Sequence, residues 1–87
     1  MKSICDLVGA SITEKQETHK RTLHVFILKE FGSTLKNKGV QAIELRVYDQ
    51  EIPQYEQLVF GLVGKKVDVI WDYAQYGAKL YSITEAK

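Results

Sequence analysis

The stretch "VQAIELRVYDQEIPQYEQLVFGLVGKKVDVIWDY", residues 40–73, changes its hydrophobic period twice, and those changes decide the fold. Its first part alternates, with Ile43, Leu45 and Val47 on one face and Ala42, Glu44, Arg46 and Tyr48 on the other, as in a strand buried on one side. The middle changes to helical spacing. Pro53 suits a first helical turn, and Tyr55, Leu58, Val59 and Leu62 follow at intervals of three and four until Gly64, so a short helix is expected over 53–63 even though Gly61 interrupts it. Alternation then returns, with Val67, Val69, Trp71 and Tyr73 on one face and Asp68, Ile70 and Asp72 on the other.

Further strands flank this strand–helix–strand unit. "MKSICDLVGA" reads as a first strand and "TLHVFILKEF" as a second, in which Leu23, Val25 and Ile27 share one face and His24, Phe26 and Leu28 the other. "AKLYSIT" supplies a last one, and the β-branched and aromatic enrichment supports all of them. The polar run "TEKQETHKR", residues 13–21, reads as a long exposed loop or the splayed tip of a hairpin. "GSTLKNKG", between Gly32 and Gly39, reads as a second hairpin loop, and "AQYGA" as a third in which Gly77 can take a positive φ. Strand, strand, strand, short helix, strand, strand is the order of a mainly β protein, a small five-stranded OB-like Greek-key barrel with one short helix between strands 3 and 4. A small SH3-like barrel is the alternative. OB barrels hold oligonucleotides with the loops between strands 1 and 2 and between strands 4 and 5, which here are residues 13–21 and 74–78.

Composition agrees with one folded unit. The chain has 87 residues, 45% hydrophobic and 26% charged, with a single proline, so residues 1–87 read as one domain. One cysteine, Cys5, allows neither an internal disulfide nor a CxxC metal pair and fits a reducing compartment, so a cytoplasmic location is expected. The N-terminal apolar run is broken by Asp6 and is too short for a signal segment or a membrane span, so no membrane partner is expected. Twelve Lys and Arg against 11 Asp and Glu give a net charge of +1, so any attraction for a polyanion must come from where the cations sit.

No catalytic pattern is visible, and neither enzymatic activity nor a cofactor is expected. His19 and His24 have no partner at metal spacing and read as solvated or structural. The serines lack a nucleophile-elbow motif, and Cys5 reads as a buried, inert thiol. Asp68 and Asp72 share a strand face about 13 Å apart, too far for a retaining carboxylate pair. "GLVGKK" lacks both the spacing and the hydroxyl of a phosphate loop.

The chemistry that does stand out is basic residues interleaved with aromatics. A single-strand binder needs cations for phosphates and ring faces for bases, each stacked base contributing about 1–3 kcal/mol. Lys15, Lys20 and Arg21 cluster in the first loop, Lys36 and Lys38 lie in the second, and Lys79 sits beside the aromatic hairpin. Phe26, Arg46 and Tyr48 fall on the less apolar faces of strands 2 and 3, which can be neighbours in a barrel and so form one outward patch. Against this, Glu14 and Glu17 partly cancel the first cluster, and loop lysines are ordinary soluble surface. Trp71 and Tyr73 share the face of Val67 and Val69, which reads as core, the more so for Trp71. Tyr76, at a hairpin tip, is harder to bury, and the rings of "YEQLVF" read as a plug for one end of the barrel.

The chain resembles the small single-stranded-DNA-binding, helix-destabilising proteins of filamentous phages. The likeness lies in its size, its β order, the early basic hairpin "KQETHKR" and the late aromatic hairpin "YAQYGAKLY". The resemblance implies an OB-type barrel that dimerises through its late hairpin and coats DNA cooperatively during replication in the cytoplasm of a bacterial host cell. It also implies that Arg21, Phe26, Arg46 and Tyr48 contact DNA, while Tyr76 and its neighbours serve the dimer or a stacked base. The sequence departs from that family in the helix-like segment 53–63 and in its small net charge. The expected function is thus non-catalytic, sequence-independent binding of single-stranded DNA, with RNA as the alternative strand, by a homodimer. Its rival is a small protein-interaction barrel with no nucleic acid involved.

Overall fold

The computed structural model describes residues 2–31, 34–75 and 77–86. Five strands, β1 (Lys2–Glu14), β2 (Arg21–Lys29), β3 (Gln41–Tyr48), β4 (Lys66–Ala74) and β5 (Gly77–Glu85), close into a barrel in the order β1-β2-β3-β5-β4. A 3-10 turn, Asp49–Glu51, leads into the helix α1 (Ile52–Leu62) between β3 and β4. Neighbouring strands are antiparallel except β3 and β5, which run parallel. This is the five-stranded, OB-like barrel with one short helix that the periodicity predicts.

The barrel closes because β1 serves two partners. Residues Lys2 to Asp6 pair with β4, and Asp6 to Glu14 pair with β2. The join contains a bulge at Val8: Leu7 pairs with Ile27 and Gly9 with Phe26, so one extra residue enters β1. A bulge shifts side-chain parity and bends its strand. Before it Cys5 and Leu7 point inward; after it Ala10 and Ile12 do. A second irregularity, in the β4–β5 pairing, places Tyr81 as the extra residue of β5, and the inward positions change there from Ala78 and Leu80 to Ile83.

The core is aliphatic. Leu23, Val25 and Ile27 of β2, Leu45 and Val47 of β3, and Val67 and Val69 of β4 are fully buried, each contributing about 1.5–3 kcal/mol. Among the described residues no polar or charged side chain joins them. Helix α1 caps one end with Ile52, Val59 and Leu62. The aromatic plug expected from "YEQLVF" is corrected: Phe60 is exposed, and Tyr55 lies at the margin of the core with its hydroxyl donating to the Tyr81 carbonyl at 2.7 Å. The reason is helical phase, since Val59 and Leu62 take the inward positions that Phe60 does not share. The helix passes through exposed Gly61 and ends at Leu62; Gly64, at φ +89°, turns the chain back and donates its N–H to the Leu7 carbonyl at 2.7 Å.

Trp71 is buried, with its indole N–H directed at Ser3 Oγ at 3.4 Å. Tyr73, expected on the same covered face, is 68% exposed. The pairing of β4 with β1 ends at Ile70, so the β4–β5 hairpin extends past the sheet that would cover it. Tyr73 instead packs edge-on against Trp71, ring centres 5.3 Å apart.

Candidate nucleic-acid interface

The polar run 13–21 is shorter as a loop than its composition suggests. Pairing continues through Thr13–Thr22 and Glu14–Arg21, so it is the tip of a hairpin. The Lys15 N–H donates to the Lys20 carbonyl at 2.9 Å, and the His19 N–H to the Lys15 carbonyl at 2.8 Å. His19 takes φ 58°, a left-handed conformation in which histidine is over-represented among non-glycine residues. This ordered turn holds Lys15 and Lys20 beside the end of β3.

Cross-strand register then assembles the outward face. Thr22 lies opposite Tyr48, His24 opposite Arg46, and Phe26 opposite Glu44, while Arg46 is also paired with Lys79 across the parallel β3–β5 join. At the Tyr48 end of this face lies a groove of about 590 Å³. Lys15, Lys20, Arg21, Tyr48 and Lys79 line it, five residues singled out from the sequence and drawn from three separate segments. Tyr48, which also lines it, is 38% exposed.

The other expected site residues are not at the groove. Phe26 stands two ladder positions beyond His24, over the bulge, with its ring against Gly9. Arg46 is on the face between Phe26 and the groove. Lys36 and Lys38 are exposed in the connection beyond the Lys29–Gln41 pair, about 23 Å along β2 from Thr22 at the usual strand rise. Tyr76 lies outside the described residues.

Acids that sequence reasoning missed share the site. Asp49 Oδ1 accepts the Arg21 backbone N–H at 3.1 Å and lies 3.8 Å from Arg21 Nε. Glu51 Oε1 accepts from Lys79 Nζ at 3.4 Å, and Lys79 also lies 5.4 Å from the centre of the Tyr81 ring. Further along the face, His24 Nδ1 is 2.6 Å from Glu44 Oε1 and His24 Nε2 is 2.9 Å from Thr13 Oγ1, while Glu44 Oε2 is 3.4 Å from Arg46 Nη2. His24 is thus part of a structural network, as its isolation from metal-spaced partners suggests. The signal for Asp49 and Glu51 is their place directly after Tyr48, in the connection that turns β3 into the helix.

A second cavity, of about 430 Å³, opens at the far end near Ile4, Asp6, Lys29 and Lys66. Cys5 also borders it, and burial and the nearby Asp6 carboxylate push its thiol above the ordinary value, which favours the protonated form. Among the described residues no cluster of three His, Cys, Asp or Glu side chains is placed to hold a metal, and no helix is long and apolar enough to cross a membrane.

Fold and groove together define a class: a small OB-like barrel with a mixed-charge, tyrosine-bearing groove beside its β1–β2 turn. Comparison with family models, with curated proteins and with solved structures finds no match to this chain.

Proposed function

We propose that this chain binds single-stranded nucleic acid without catalysis, along the groove and the adjoining β2–β3 face. The observation that carries the reading is the convergence of Lys15, Lys20, Arg21 and Lys79 on one exposed tyrosine, Tyr48, beside the turn with which OB barrels hold oligonucleotides. The cations neutralise phosphates, and the ring stacks a base, a combination that does not require a particular sequence. By likeness to the phage proteins, the strand would be DNA exposed in replication and the working form a dimer.

A second reading is favoured by one observation: Arg21, Arg46 and Lys79 each have a carboxylate of this chain within 4 Å, which lowers the net positive charge of the face. In that reading the groove receives a mixed-charge segment of another protein.

Anisotropy of a labelled single-stranded oligonucleotide, titrated at low salt and again at about 0.2 M salt, separates the two. Binding that weakens steeply with salt and quenches tyrosine emission supports the nucleic-acid reading. Absence of binding at both salts overturns it.

A further inference from the structure

The groove contains acceptors as well as donors, and their anchoring is specific. Asp49 and Glu51 line the same cavity as Tyr48, and each is tied through one oxygen: Asp49 Oδ1 to Arg21 and Glu51 Oε1 to Lys79. Both carboxylates are half-exposed and so open to the groove. A single-strand groove built for phosphates alone gains nothing from two carboxylates beside its stacking ring, since each weakens the field on the strand.

We propose that these carboxylates select bases, and that the groove prefers nucleobases carrying an exocyclic amino group over uracil and thymine. The inference rests on the reading of the groove as a single-strand site. An ionised carboxylate only accepts hydrogen bonds. Cytosine presents its 4-amino group as a donor to such an oxygen, whereas uracil and thymine present a carbonyl, and acceptor faces acceptor. Their remaining donor, N3–H, lies between two carbonyls that repel an approaching carboxylate. Stacking alone gives weak preferences between pyrimidines, so a marked difference between them reports hydrogen bonding. The tether to Arg21 and Lys79 matters for a second reason: a carboxylate already held by a cation is oriented before the base arrives and loses little freedom on binding.

The test compares oligodeoxycytidine with oligodeoxyuridine at neutral pH, which differ at ring position 4 and at N3 while keeping the same ring size and no 5-methyl group. The protein is expected to bind the cytidine strand about tenfold more tightly, a difference of about 1.4 kcal/mol. In Glu51→Gln and in Asp49→Asn with Glu51→Gln, the amide offers a donor to the uracil carbonyl, so the ratio should fall towards one mainly through tighter binding of uridine. Glu51 is a half-exposed side chain, so the single variant keeps the test sound if the double variant unfolds. Equal affinity for the two strands in the native protein, or a ratio unchanged in Glu51→Gln and the folded double variant, overturns base selection and leaves the binding function standing. Failure of both strands to bind overturns both proposals.

Discussion

The ring of Phe26 lies 3.6 Å from the point where a β-carbon on Gly9 would stand. The two residues are directly opposite in the β1–β2 ladder, next to the bulge at Val8. A glycine in a strand leaves a gap on the sheet surface, and a cross-strand aromatic that lies over it restores the lost contact.

Phe26→Ala should therefore destabilise the fold by about 1 kcal/mol, the upper range of a cross-strand pair, and lower the melting temperature by about 4–8 °C. Gly9→Ala should stay within about 0.5 kcal/mol of the native protein, because the added methyl meets the ring at ordinary contact distance. Thermal melts followed by circular dichroism distinguish the pair. A Phe26→Ala protein of native stability would show that the ring is not a cover for the bulge.

Tyr48, in contrast, is placed in the groove, so its replacement should affect binding more than folding. Tyr48→Ala should weaken single-strand affinity by about 1–3 kcal/mol, and Tyr48→Phe should retain most of it, since the stacking face is kept. Phe26→Ala should lower affinity less than Tyr48→Ala. Titrations of the three variants on one oligonucleotide decide this; the reverse order would move the stacking site from the groove to the bulge.

What could be read from the sequence, and what could not, follows the same physics. The inward faces of β2 and β3 were legible because strict alternation has one buried solution. Val8 and Tyr81 were not, since a bulge inserts a residue without altering composition. Tyr73 was misplaced because parity gives a face but not the point where a neighbouring strand stops covering it. For the site, the outward neighbours Arg46 and Tyr48 followed from two adjacent strands. Asp49 and Glu51 did not, because each meets its cation 28 residues away in sequence, across the strand-to-helix corner and not along a ladder.

The lysines divide by position in a way that salt titration can read. Lys15 and Lys20 border the groove, whereas Lys36 and Lys38 lie beyond the opposite end of the β2–β3 ladder. Each phosphate contact on a single strand contributes about 0.7 to the slope of log affinity against log salt. Lys15→Ala with Lys20→Ala should flatten that slope by about 1.4, while Lys36→Ala with Lys38→Ala should change it little. Equal effects of the two pairs would mean that the strand runs the length of the face.

Cys5 gives the fold an alkaline limit whose direction follows from its burial. In the folded chain its thiol is held above the ordinary value of 9.0, first by desolvation and then by Asp6. The neutral thiol is therefore favoured by the native state, and this contribution is fully present below the unfolded value and is lost as pH rises through the folded one. Between those two values the unfolded chain has released a proton that the native chain still holds, so unfolding becomes easier as pH increases. Cys5→Ala should remove that component of the alkaline decline, at the cost of a small cavity beside Leu7. Urea unfolding of both proteins at neutral pH and above pH 9.0 measures it. The thiol should also react slowly with a disulfide reagent in the native state and rapidly in urea; equal rates would show that Cys5 is open to solvent and that its burial does not set the limit.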